Sequence, residues 1–135
     1  MNERRTTVPS DAAQLPALTR FLQEFWSANH LPAAEAPKFE LALEEVFMNV
    51  VMHGSRASRP QVDVQLALSE AGITLVVEDE GPAFDPLSLP PPDPAASLEE
   101  RPVGGLGVFL VRQLMDMVEY QRVSSRNRLS MTRRI

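Results

Sequence analysis

Cysteine is absent from the 135 residues, so neither a disulfide nor a cysteine-ligated zinc can hold this chain together, and nothing points to an oxidising compartment. Lysine occurs once, at Lys38, and no Gly-x-x-x-x-Gly-Lys-Ser/Thr sequence is present, which excludes a Walker-type nucleotide loop. Basic residues are outnumbered 13 to 18 by acidic ones, a net charge of −5; a nucleic-acid partner, which needs a basic face to displace counterions, is not expected. No run approaches eighteen apolar residues, so no membrane span is expected. Met1 to Val8 carries charge without an apolar segment resembling a signal peptide behind it. The expectation is a cytoplasmic protein with one cored domain over residues 1–135.

What the chain does have is concentrated first in Leu41 to His53. Glu45, Asn49 and His53 recur every four residues through an otherwise apolar run. At about 100° per residue, Phe39, Leu43, Val46, Phe47 and Val50 gather on one side of a helix, with Glu45 and Asn49 on roughly the opposite side.

In chain order, Thr6–Val8 is a short extended candidate and Ser10 an N-cap for a helix apolar at Leu15, Leu18, Phe21, Leu22, Phe25 and Trp26. A second helix is expected from about Ala33 to His53, ended by the polar turn from Gly54 to Pro60. Gln61–Ser69 alternates strictly, with Val62, Val64, Leu66 and Leu68 on one face, and Ile73–Glu78 returns as a hairpin strand. Seven of the twelve prolines then fall between Gly81 and Pro102; no core element can be built from them, and a lid over a binding site is expected at about 82–103. A third helix, apolar at Leu106, Phe109, Leu110, Leu114 and Met117, opens at Gly104. Two strands, Glu119–Ser124 and Arg128–Ile135, close the chain around a turn at Ser125-Arg-Asn. Strands and helices segregate, which predicts an α+β fold: a two-layer sandwich of a mostly antiparallel sheet with helices on one face.

Three segments carry chemistry. A polar stripe on an amphipathic helix is most often a solvated face, yet Asn49 is a poor mid-helix residue surrounded by Met48, Val50, Val51 and Met52. An amide oxygen in that shielded position is a hard ligand suited to magnesium, and Glu45, one turn earlier, is placed to accept a proton beside metal-bound phosphates. The second segment ends a strand at Asp79, with Gly81 two residues on, where a ligand can approach closely. A carboxylate buried there needs donors, and an exocyclic purine amine is one. The third segment, Gly104-Gly-Leu-Gly107, is either a hinge or a set of free amides at a helix N-terminus that binds phosphate without lysine.

Glu-x-x-x-Asn-x-x-x-His at 45–53, Asp-x-Gly-x-x-Phe-Asp at 79–85 and Gly-Gly-Leu-Gly at 104–107 together resemble the N, G1 and G2 boxes of the GHKL (Bergerat) ATP-binding fold. The small size and the run from Gly104 to Asp116 followed by Val-Glu-Tyr120 most resemble the bacterial anti-sigma-factor serine/threonine kinases of the RsbW type. The resemblance implies a Mg2+–ATP-dependent protein kinase in which Glu45 is the general base, Asn49 the magnesium ligand and Asp79 the adenine-reading carboxylate. His53, Gly81 and Phe84 would contact nucleotide, Gly104, Gly105, Leu106 and Gly107 would face the phosphates, and Thr132 would stand near the adenine. It also implies a homodimer that phosphorylates a STAS-domain anti-anti-sigma protein and sequesters a sigma factor, without touching nucleic acid or membrane. Some relatives carry an arginine directly before the glycine run; Val103 takes that place here, and Arg101 is the candidate for the γ-phosphate. Two alternatives stay open at this point: an ATP-binding regulatory module that binds partners without kinase activity, and a detached histidine-kinase catalytic domain. The arginines at 122, 126, 128, 133 and 134 are expected on a solvated face, and the methionines at 48, 52, 115 and 117 as core filler.

Overall fold

A computed structural model describes residues 2–53, 60–88 and 105–135, the side chains of 105 and 106 excepted. Among these residues lie five strands, β1 (Asn2–Pro9), β2 (Gln61–Ser69), β3 (Gly72–Asp79), β4 (Met117–Val123) and β5 (Arg126–Arg133). Three α-helices accompany them, α1 (Leu15–Ala28), α2 (Ala36–Met52) and α3 (Gly105–Leu114). The strands form one sheet in the order β1-β2-β3-β5-β4, and every neighbouring pair is antiparallel. The α+β sandwich read from the segregation of elements is the observed fold.

Period-two alternation decides which side chains meet the helices. Residues directly opposite on antiparallel strands share a face. Val62, Val64 and Leu66 of β2 therefore point the same way as Asp79, Val77 and Leu75 of β3, and as Asn127, Leu129 and Met131 of β5. These residues are buried, and their apolar members form one core with Leu18, Leu22, Phe25 and Trp26 of α1 and Phe39, Leu43, Val46 and Phe47 of α2. The 3.6-residue spacing seen in both helices is thus a true core stripe. Trp26 is seated by Nε1 donating to Pro32 O at 2.9 Å, with its ring 5.2 Å from that of Phe39.

Several boundaries differ from the expected ones, each for a local reason. β1 starts at Asn2 rather than Thr6. Its polar residues have no alternation to betray them, since pairing with β2 from Asn2↔Leu68 to Pro9↔Gln61 supplies the order. Asp11, not Ser10, makes the cap: its carboxylate accepts from Ala13 N at 2.9 Å and starts a 3₁₀ turn, Ala12–Gln14, ahead of α1. β3 begins at Gly72, which sits at φ +115° and belongs to the strand rather than to the turn.

The closing hairpin is the largest correction. Its turn is Ser124-Ser125, with φ of 52° and 64°, so Asn127 lies inside β5 and not in the loop. α3 also ends at Leu114, before Met117, and turns a different face inward. Val108, Val111 and the following Met115 are buried, while Phe109 and Leu110 are 38% and 36% exposed. Because five consecutive residues from Leu106 to Leu110 include four apolar ones, the run contains no polar face to set its phase. Met52 and Met117 are exposed rather than core filler; Met115 is buried.

The arginines expected on a solvated face are mostly ion-paired. Arg126 bridges Asp63, Glu78 and Glu80 across the sheet end, and Arg128 also meets Glu78, at 3.6 Å. Arg133 Nε donates to Glu35 at 2.6 Å while its Nη1 donates to Leu114 O at 2.6 Å, tying β5 to the start of α2 and the end of α3. That guanidinium, with help from Lys38 and against the opposing effect of burial, holds the Glu35 carboxyl below its ordinary value. The proline-rich lid beyond Ser88 and the polar turn at 54–59 lie outside the described residues.

Candidate nucleotide site

At one end of the sandwich the C-terminal half of α2 faces the ends of β3, β4 and β5, and between them is a small cleft. Its walls are Val46, Asn49 and Val50 from α2, His53 just after it, Val77 and Asp79 from β3, Pro82, Phe84 and Pro86 beyond β3, and Tyr120, Asn127 and Leu129 from the closing hairpin. An apolar slot with a few converging polar groups is the usual form of a small-molecule site. A flat aromatic ligand suits these walls. Two rings already stack there, His53 and Phe84, with centroids 4.3 Å apart and planes at 21°.

Asp79 is the last residue of β3 and only 8% exposed. Burial of a carboxylate is costly unless donors meet it, and here two converge on one oxygen: Gly81 N–H donates to Oδ1 at 2.8 Å and Asn127 Nδ2 donates to the same atom at 3.1 Å. Among the described residues Oδ2 has no hydrogen-bond partner, which leaves an acceptor free on a residue that lines the cleft.

Asn127 was not among the expected site residues, yet it is the hub. Its Oδ1 accepts from Tyr120 Oη at 2.6 Å, from Arg122 Nη1 at 3.2 Å and from Phe84 N at 3.2 Å. Its Nδ2 donates to Pro82 O at 2.9 Å as well as to Asp79. Arg122 adds a second brace, donating to Gly81 O at 2.8 Å. The segment Gly81–Phe84 is therefore pinned to β4 and β5 by side chains whose hydrogen-bonding capacity is largely used. No sequence signal marked it: the Ser124-Ser125 turn pairs Asn127 with Arg122, and only the β3–β5 ladder sets it opposite Asp79.

Asn49 lines the same cleft and is 7% exposed. No side-chain hydrogen-bond partner is found for it among the described residues, so a buried amide is left without one in the wall of the apolar cleft. Its oxygen is a hard donor suited to magnesium, which takes few protein ligands and draws the rest from water and phosphate. Among the described residues no three His, Cys, Asp or Glu are gathered that could hold a metal ion. Glu45, one turn earlier and half-buried, is not in the cleft wall but stands at its edge, packed against Gly107 in the first turn of α3.

Of the expected residues, then, Asn49, His53, Asp79 and Phe84 meet round one cleft, with Gly81 anchored beside Asp79 and Glu45 beside Gly107. Gly105 opens α3, and the side chain of Leu106 is not described; Arg101 and Gly104 lie outside the described residues. Thr132 does not belong to the group. It pairs with Thr74, five positions along β3 from Asp79, on the order of 17 Å at about 3.4 Å per residue. Its hydroxyl bonds Thr74 Oγ1 at 3.0 Å on the sheet face turned away from the helices. A register two residues off moves a side chain along the strand, and one residue moves it to the other face.

An antiparallel sheet under three helices, with a buried amide on the middle helix and a buried carboxylate at a strand end, defines an ATP-binding domain of the histidine kinase-like type. Residues 8–133 match the family described as "Histidine kinase-like ATPase domain", and the chain belongs to that family. It is similar to the serine/threonine-protein kinase BtrW of Bordetella bronchiseptica, 31% identical over 114 residues that cover 82% of this chain and 75% of that protein. It is also similar to the serine-protein kinase RsbW of Bacillus licheniformis, 31% over 99 residues, and of Bacillus subtilis, 30% over 95 residues. The matched regions cover 70% and 67% of this chain, and about three fifths of the Bacillus proteins, 61% and 59%.

Proposed function

We propose that the chain is a Mg2+–ATP-dependent protein serine/threonine kinase that acts as an anti-sigma regulatory factor in the cytoplasm. Its substrate is a serine or threonine of a STAS-domain anti-anti-sigma protein, and in its other state it holds a sigma factor, working as a homodimer. The observation that carries the nucleotide part is the pair of buried polar side chains, Asn49 and Asp79, on opposite walls of one apolar cleft. The similarity to BtrW and RsbW supports the phosphoryl-transfer part.

In this reading Asp79 accepts the exocyclic amine of adenine, with Oδ1 already held by Gly81 and Asn127. The base slides between the α2 wall and the closing hairpin, where His53 and Phe84 now stack on each other. Asn49 would hold a magnesium ion through its amide oxygen, and that ion would supply neutralisation of the phosphate charge. Glu45 takes the proton from the attacking serine hydroxyl as its oxygen bonds to the γ-phosphorus and the bond to the bridging oxygen of ADP breaks. Phosphoryl transfer asks a protein mainly for positioning and charge neutralisation, and one carboxylate, one amide and a set of backbone donors can supply both.

Incubation with γ-labelled ATP and a co-encoded STAS protein tests the assignment. Acid-stable phosphoserine or phosphothreonine on the STAS protein is the expected product. A stable nucleotide-dependent complex without label would make the chain a binding module, and an acid-labile phosphohistidine would make it a detached histidine-kinase catalytic domain.

A further inference from the structure

Gly107 lies in the first turn of α3, and a Cβ built on it would stand 2.1 Å from Glu45 Oε2, 2.9 Å from Glu45 Cδ and 3.3 Å from Glu45 Cβ. All three nearest atoms belong to one side chain. The Glu45 carboxylate therefore occupies the space that a side chain at residue 107 would fill. The backbone itself does not ask for glycine: Gly72 is the glycine with positive φ among the described residues, and Gly107 is in regular helix. A helix prefers alanine to glycine at such a position, so the missing side chain needs another reason. Buried Val108 and Val111 anchor the same helix on the core, and that fixes where residue 107 sits.

We infer that Gly107 is a positioning residue for the general base: the space left by its absent side chain is the seat that holds the Glu45 carboxylate at the edge of the nucleotide cleft. The inference rests on the reading of Glu45 as the base. It differs from the expectation that this glycine serves the phosphates. A phosphate contact uses the backbone amide, which alanine retains; the seat uses the missing Cβ, which alanine fills. The atom that would have to give way is the far end of a flexible side chain, so the fold can tolerate alanine while the carboxylate moves off its place.

The test is Gly107→Ala in the full chain, read five ways. The seat predicts an ATP dissociation constant within about twofold of wild type, an unfolding midpoint unchanged or raised, and a kcat for transfer to the STAS protein lower by about 100-fold, the scale of a 1 Å misplacement. In the Glu45→Ala background the same substitution should add no further loss of rate, since the group it displaces is already gone. A crystal structure of Gly107→Ala should show the Glu45 carboxylate swung away from residue 107. Wild-type kcat, or a rate loss matched by an equal loss of ATP affinity, overturns the seat. Should the wild-type chain transfer no phosphate at all, the kinase reading fails on its own, and the crystal structure alone decides the seat: a carboxylate that stays in place despite the alanine refutes it.

Discussion

Asn127 Nδ2 donates to Asp79 Oδ1 at 3.1 Å, and the two residues are direct partners across β3 and β5 on the face covered by helices. The amide occupies one carboxylate oxygen and leaves the other for a ligand. Through its own oxygen the same amide holds Tyr120, Arg122 and the Phe84 backbone, so the support of Asp79 and the anchoring of the loop after β3 share one residue.

Asn127→Ala removes all of these partners at once. Leaving buried polar groups unpaired costs roughly 1–3 kcal/mol each. Unfolding free energy should fall by on the order of 3 kcal/mol in urea titrations, and calorimetry should find ATP bound at least about tenfold more weakly, ~1.4 kcal/mol. Wild-type ATP affinity in this variant would mean that Asp79 needs no support.

The Ser124-Ser125 turn places two side-chain-bearing residues in the left-handed region, at φ 52° and 64°. Two-residue hairpins of this shape prefer Asn-Gly. The double change Ser124→Asn, Ser125→Gly should therefore raise stability by about 1 kcal/mol without moving the ATP affinity. A lowered unfolding midpoint would contradict this turn geometry.

Gly72 is constrained twice. At φ +115° a side chain is strained, and a Cβ there would meet Arg133 O at 2.2 Å, a backbone atom that cannot rotate away. Gly72→Ala should lower stability by on the order of 1–3 kcal/mol in denaturant unfolding. A neutral effect would place the β3–β5 contact elsewhere.

Glu35 links the start of α2 to Arg133, and the Arg133 hydrogen bond holds its carboxyl below the ordinary value. A carboxylate with a folded-state pKa below its unfolded one stabilises the fold above the unfolded value, and the contribution is lost as pH falls through the folded value. The gap in unfolding midpoint between wild type and Glu35→Gln should be full at neutral pH and shrink below about pH 4.3. A gap that persists unchanged into acid would assign Glu35 a purely steric role.

The parts legible in the sequence are those in which one periodicity dominates. Gln61–Ser69 alternates cleanly and is β2 to the residue, and the apolar stripes of α1 and α2 are the core. Asn49 and Asp79 also read correctly as shielded polar positions, because the apolar residues around each leave little room for solvent. The closing hairpin was not legible, since Ser-Ser carries no signal for positive φ. With the turn shifted, Asn127 falls in a loop, when the ladder puts it opposite Asp79; Thr132, expected near the adenine from the family resemblance, lies on the far face. In α3 an unbroken apolar run hides which side faces the core, and only packing on α2 and the sheet selects Val108 and Val111.

Glu45→Ala, assayed for both nucleotide binding and transfer, is the most direct measurement of the whole account. Loss of a general base should lower the rate of STAS-protein phosphorylation by about 10²–10⁴-fold, with ATP still bound near wild-type affinity. Transfer within a few-fold of wild type, or loss of ATP binding along with activity, would contradict it.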